Sequence, residues 1–182
     1  IKRRGPSNAD WVWYVGPLGA GKYMYGDSGA ELSSTTIWSN TAPTASVFSL
    51  GNQGGGGTYR INGSGSTYIA YLWATVAGIS KIGSYTGTGS DLNVDCGFSA
   101  GARFILIKRT DGSGDWYIYD SVRGIVAGDD PYTLLNTTAV QVTNTDFIDP
   151  LSAGFTVTAA AGASVSPGFN TSGGAYIFLA IA

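Results

Sequence analysis

The stretch Gly16-Pro-Leu-Gly-Ala-Gly-Lys22-Tyr23 follows an apolar run, Trp11 to Val15, and differs by one residue from the phosphate-cradling pattern G-x-x-x-x-G-K-[ST]. In that loop backbone N–H groups converge on phosphate, a helix follows at once, and the hydroxyl after the lysine binds magnesium. Here Tyr23 stands at the hydroxyl position, and the residues beyond it, Met24 to Leu32, include two glycines and show no helical periodicity. The sequence therefore reads Gly16 to Lys22 as a loop leaving an aromatic strand, and no nucleotide or other cofactor is expected.

Other residues could do acid–base or metal chemistry. Asp129-Asp130 and the pair Asp146/Asp149 offer carboxylates for glycoside hydrolysis, which needs two of them at a set separation across a cleft. Asp130-Pro131 and Asp149-Pro150 read as turns instead. Asp111-Gly-Ser-Gly-Asp-Trp116 opens like a calcium loop, but that loop needs glycine at its sixth place and glutamate at its twelfth. Trp116 and Val122 stand there, so a hairpin turn is the reading. Cys96 is the only cysteine and there is no histidine. Ser-His-Asp and Cys-His catalysis and His-ligated zinc are thereby excluded, and Cys96 reads as a small buried apolar residue. No catalytic or metal-binding residue is assigned, and the chain is read as a non-enzyme.

Aromatic residues are the remaining chemical signal. Trp11, Trp13 and Tyr14 lie on one expected strand, and Trp116, Tyr117 and Tyr119 on another. Strand side chains alternate between faces, so part of each set is core and part is expected to point outward as a candidate ligand or subunit contact. Exposed Trp and Tyr suit the apolar faces of sugars and equally suit protein interfaces.

The elements that position these residues follow from composition. Charged residues make up 12% of the 182, about half the usual ~25%. Glu31 is the only glutamate, so helices would lack an ordinary exposed face. Val, Ile, Thr and Tyr suit strands, and 28 glycines with Asn, Asp and Ser suit turns. Expected strands are 11–15, 35–39, 46–50, 68–73, 81–85, 104–108, 116–120, 140–143, 155–158 and 175–181, with 54–57 and 84–90 as loops. A net charge of −2 with no basic block argues against nucleic acid. No run of about 18 apolar residues exists to cross a membrane as a helix.

The chain also repeats itself. Ile1-Lys2-Arg3 matches Ile107-Lys108-Arg109, Asp10-Trp11 matches Asp115-Trp116, and Tyr14 matches Tyr119. Further along, Asn62 to Trp73 (NGSGSTYIAYLW) echoes Asn170 to Ala182 (NTSGGAYIFLAIA) in the same order. Two collinear matches argue for duplication. The expected domains are 1–77, lacking its opening strands, and 78–182, complete. Residues before Ile1, or strands from another chain, are expected to complete the first.

The segments GISKIGSYTGTGS, CGFSAGARFILIKRTDGSGDWYIYDSVRG, Gly154-Phe155 and NTSGGAYIFLAIA resemble an uncharacterised β-rich module of tailed-bacteriophage structural proteins. The resemblance runs from 78 to 182 nearly end to end and over 1–73 more weakly. In the first copy WVWYVGPLGAGKY departs from the module's usual aspartate after the aromatic strand. The resemblance implies a virion surface location, other virion subunits as partners, a homo-oligomer (commonly a trimer in such fibres), and host surface glycan as a target. The expectation is an all-β protein of tandem, jelly-roll-like β-sandwich modules in a tail fibre or other host-contacting appendage. A capsid cement protein and a lectin-like carbohydrate-binding module are the alternatives.

Overall fold

The computed structural model describes residues 1–5, 10–51, 61–163 and 168–182. The strands are β1 Lys2–Arg3, β2 Val12–Trp13, β3 Lys22–Tyr25, β4 Leu32–Ser33, β5 Tyr68–Ile69, β6 Ser80–Thr86, β7 Leu92–Asp95, β8 Phe104–Arg109, β9 Trp116–Asp120, β10 Thr133–Leu134, β11 Ile148–Leu151, β12 Gly154–Val157 and β13 Ala175–Ile181. A four-residue helix, α1 (Ala160–Ala163), and a 3₁₀ turn over Gly16–Leu18 are the helical elements among the described residues. The protein is all-β, as its composition requires. Contacts divide the chain into two compact units: Ile1–Gly26 with Glu31–Trp73, and Asp27–Ala30 with Ala74–Ala182.

The second unit is a sandwich. A five-stranded antiparallel sheet runs β10-β9-β8-β13-β6, and a three-stranded one runs β11-β12-β7. Isoleucine, leucine and aromatic residues fill β8 and β13, the types that pack well on a pleated surface. Ile105, Ile107, Tyr117, Tyr119, Tyr176 and Phe178 from the large sheet share one core with Val94, Ile148, Phe155 and Val157 from the small one. Phe155 meets Phe178 edge-on at 5.4 Å, a favoured aromatic geometry across the two layers. Gly154 sets how closely β12 approaches β7: a Cβ there would lie 2.1 Å from the Val94 carbonyl oxygen. Cys96 is buried beside it, and burial pushes its thiol up to about 11.

In the first unit β2, β3 and β4 form one sheet and β1 pairs with β5. Ile1 and Val12 exchange backbone hydrogen bonds at 2.7 and 2.8 Å, which ties β1 to β2. The core is Val12, Ile37, Trp38 and Ile61, with Tyr14, Tyr23 and Leu50 packed on it. Two expected strands, 35–39 and 46–50, are turns and irregular chain: Ser34 Oγ accepts the Ile37 N–H, and Ser39 and Asn40 carry positive φ of 52° and 46°. Ser, Thr and Asn side chains compete for the backbone there. Residues 140–143 reduce to the bridge Tyr132↔Val142. The expected loop at 84–90 begins only after β6 ends at Thr86, and Asp149-Pro150 lies inside β11 instead of turning. That strand is the edge of its sheet, where proline's missing N–H breaks no ladder. The loop at 54–57 and part of the hairpin loop at 6–9 fall outside the described residues.

Four strands of the first unit repeat four of the second. Lys2↔Ile69 and Arg3↔Tyr68 pair as Lys108↔Ile177 and Arg109↔Tyr176 do. Val12↔Tyr25 and Trp13↔Met24 correspond to Tyr117↔Leu134 and Ile118↔Thr133. Irregular bonds recur too: Arg4 N–H to Thr67 O matches Thr110 N–H to Ala175 O, and Gly26 N–H to Trp11 O matches Leu135 N–H to Trp116 O. The order β3-β2-β1-β5 is thus the order β10-β9-β8-β13, and β6 has no equivalent among the described residues of the first unit.

One side-chain device recurs with them. The Tyr176 hydroxyl accepts the Thr171 N–H at 3.0 Å and donates to the Gly168 carbonyl at 2.9 Å. The Tyr68 hydroxyl accepts the Gly63 N–H at 2.7 Å, again five residues upstream. Each tyrosine therefore ties its strand to the turn that feeds it, and Gly173 and Gly65 take φ of 77° and 69° in those turns. Tyr176→Phe leaves a buried donor and acceptor unmet and is expected to cost about 1–3 kcal/mol in urea unfolding. Tyr68→Phe, which removes one bond, should cost roughly 0.5–1.5 kcal/mol. Unchanged unfolding midpoints in both variants would show that the hydroxyls do not hold the turns.

Candidate functional site

β2 alternates, so Trp11 and Trp13 share one face while Val12 and Tyr14 face the core. Chain from β5 onward alternates likewise and brings Tyr71 and Trp73 beside them. Trp11 stacks on Tyr71 at 5.5 Å and 27°, Trp13 on Trp73 at 6.0 Å and 9°. Tyr71 and Trp73 lie 6.1 Å apart, and Lys2 Nζ sits over the Trp11 ring at 5.6 Å. Gly26 passes under this cluster, where a Cβ would stand 3.0 Å from Trp11 Cβ. The face is open: Tyr71 is 55% exposed, Trp73 47% and Ile69 39%. With Trp and Tyr offering about 150–250 Å² each, on the order of 300 Å² of apolar surface meets water here. At ~25 cal/mol per Å², its covering is worth roughly 7 kcal/mol. That is about the size of the largest apolar patch on an ordinary monomer, a patch that is often functional.

The six aromatics singled out by sequence divide unevenly. Trp11 and Trp13 belong to the open face. Tyr14 packs inward, edge-on to Trp38 at 5.5 Å. Trp116, Tyr117 and Tyr119 are 2%, 5% and 0% exposed, so the outward aromatic face expected of the second copy does not exist. Tyr117 and Tyr119 belong to the sandwich core, and Tyr117 lies 4.7 Å from Phe169. The other face of that sheet is buried as well, with Leu106, Ile177 and Leu179 under 10% exposed. Sequence alternation alone had no means to show that a sheet is covered twice. Tyr71 and Trp73 went unnamed, although their two-residue spacing inside the expected strand 68–73 was the available signal.

The groups that suggested chemistry are occupied with structure. β3 begins at Lys22, where a phosphate loop needs a helix, and Lys22 Nζ pairs with Glu31 at 2.6 Å. Arg109 Nε pairs with Asp111 at 2.7 Å inside the hairpin turn. Asp130 is fully buried; its two carboxylate oxygens accept the Val126 and Ile148 N–H groups, both at 3.0 Å. Burial raises its pKa to about 6, with Asp146 and Asp149 adding to the rise against those two bonds. Asp146 is raised too, by burial and then by Asp149, Asp129 and Asp91. Among the described residues no group of three or more Cys, Asp or Glu side chains could hold a metal ion, and no helix is long and apolar enough to cross a membrane.

A second polar site is built on Lys108, which is fully buried. Its Nζ donates to the carbonyls of Gly114 (2.7 Å), Gly29 (2.8 Å) and Ser28 (3.3 Å). Burial lowers its pKa to about 8. Trp116 Nε1 donates to the Asp27 carbonyl at 3.0 Å, and the Gly114 N–H to Ser28 O at 2.9 Å. Within the second unit the four residues Asp27–Ala30 are thus held by their backbone.

Fold and surface together define an all-β module built of two like units, one of which presents an aromatic face to solvent. Residues 1–182 match a family model described as a domain of unknown function, DUF7483, and the chain belongs to that family. No curated protein and no solved structure matches it.

The Asp130 site sets a pH dependence. Its folded pKa lies above the unfolded value of 3.8, so its stabilising contribution is complete below about pH 4 and is lost as pH rises through about 6. Asp146 acts in the same sense. Unfolding free energy measured from pH 4 to 7 is therefore expected to fall, and Asp130→Asn to flatten the fall while lowering stability at pH 5. An identical slope in the variant would mean that the carboxyl does not titrate in the folded state.

Proposed function

We propose that this chain is a non-enzymatic structural component of a bacteriophage virion, working by contact in a tail fibre or other host-facing appendage. The observation that carries the reading is the open aromatic face at Trp11, Tyr71 and Trp73, a surface that recognises without reacting. It is supported by the sequence resemblance over 78–182 and by the use of Asp130 and Lys22 as structural ties. Its partners are other virion subunits, in a homo-oligomer, with host surface glycan as a target. Stacked sheets supply rigidity, and loops at their ends supply variable contact.

The near-parallel Trp13–Trp73 stack favours a second reading, lectin-like binding, because flat aromatic faces take the C–H faces of sugar rings. In the primary reading, phage particles carry the chain on the tail, and deleting its gene lowers host adsorption at least about tenfold. Particles that adsorb normally but come apart more readily would move the chain to a capsid cement role. In a glycan array the second reading expects a signal that Trp73→Ala abolishes. Release of reducing sugar from host polysaccharide would overturn the non-enzymatic reading.

A further inference from the structure

The repeat carries the lysine, the tryptophan and the held segment of the Lys108 arrangement a second time, while the counterpart of Gly114, residue 9, lies outside the described residues. Lys2 stands where Lys108 does by the shared register of β1 with β5 and of β8 with β13, and Trp11 stands where Trp116 does by that of β2 with β3 and of β9 with β10. Lys2 and Trp11 border the open aromatic face. Asp27–Ala30, the segment that Lys108 and Trp116 hold, leaves β3 just after the Gly26 N–H bonds Trp11 O. Its equivalent leaves β10 just after the Leu135 N–H bonds Trp116 O, and is Asn136–Ala139.

That second segment is presented outward. Thr137, Thr138 and Ala139 are exposed, and Leu135 and Val140 beside them are 48% and 87% exposed. It is also pre-formed. Asn136 Oδ1 accepts the Trp116 N–H at 2.9 Å, Asn136 Nδ2 donates to Asp115 at 2.8 Å, and the Ala139 N–H bonds Thr137 Oγ1 at 3.2 Å. Ordering such a segment on binding costs little.

We propose that the Lys2–Trp11 site and aromatic face of one copy receive the Asn136–Ala139 segment of a second copy. Lys2 and Trp11 Nε1 would hold backbone carbonyls of the segment as Lys108 and Trp116 hold Asp27 to Gly29. Leu135 and Val140 would cover Tyr71, Trp73 and Ile69. Recognition through carbonyls is indifferent to the change from Asp-Ser-Gly-Ala to Asn-Thr-Thr-Ala. The two surfaces differ, so the contact is heterologous: each copy bound at one end still offers the other, and copies add head to tail. The inference needs only the repeat, so its failure leaves the tail location and host-contact role standing, and the reverse.

The test is the mass of the full chain by sedimentation and light scattering from about micromolar to about millimolar, a span that brackets weak to moderate association. The weight-average mass is expected to climb with concentration past that of a dimer. One variant blocks the receiving site, Lys2→Glu with Trp11→Ala; a second, Trp73→Arg, does so at an exposed position should the first unfold its unit. A third blocks the segment, Thr137→Arg with Thr138→Arg. Each alone is expected to stay monomeric, with near-ultraviolet circular dichroism reporting the fold. Mixing a site-blocked with a segment-blocked copy should restore dimers and nothing larger, because one intact pair of surfaces remains. A mass constant at every concentration would overturn the proposal. So would association that neither variant alters, or a mixture of folded variants that yields no dimer.

Discussion

Everything in the second unit depends on where β13 stops sliding. It is paired on both sides, with β6 and with β8, so a shift of one residue would move Tyr176, Phe178 and Ala180 out of the core and turn both ladders over. The Tyr176 hydroxyl prevents this by bonding to the turn that delivers the strand. Asn170 reinforces the turn, its side-chain amide donating to Ser90 O and Thr158 O at 2.9 and 2.8 Å. Register is therefore set locally, within a few residues of the strand's start, and the long-range sheet inherits it. The first unit uses the same means in reduced form, with Tyr68 on Gly63 and Asn62 on the Gly51 carbonyl.

Much of this was legible in the sequence. Strands 116–120 and 175–181 have the bounds that alternation of aromatic and aliphatic residues predicts. The repeated Asn…Tyr-Ile block was visible as a pattern and proves to be the register device. The short strands were not legible. Lys22–Tyr25, Leu32–Ser33 and Thr133–Leu134 span one pleat or two, too little for periodicity to register, and the last two exist because a longer neighbour offers a free edge. The stretches 35–39 and 46–50 mislead in the opposite way. Their Thr, Ile, Val and Phe suit strands, but hydroxyls placed two or three residues apart capture the backbone first.

The site was half legible. Trp11 and Trp13 stand out in any reading of composition, and they are half-buried beside the exposed Tyr71 and Trp73. Trp116, the counterpart of Trp11, looked identical in sequence and is buried, while Ile118 stands at the place of Trp13. The difference lies in what covers each sheet, a property of tertiary packing on which alternation is silent. Lys108 gave no warning either. A lysine inside Phe-Ile-Leu-Ile-Lys-Arg reads as the end of a strand, and only three converging carbonyls reveal why it tolerates complete burial.

Pro150 sits in the outermost strand of the smaller sheet, at a place where chemistry usually asks for a turn. An uncovered strand is an invitation to any passing extended peptide, and the invitation is written in unpaired donors. Proline deletes one of them at the middle of a four-residue strand and stiffens the backbone around it. That single ring guards the edge against fibrous stacking while leaving more selective encounters free to form elsewhere.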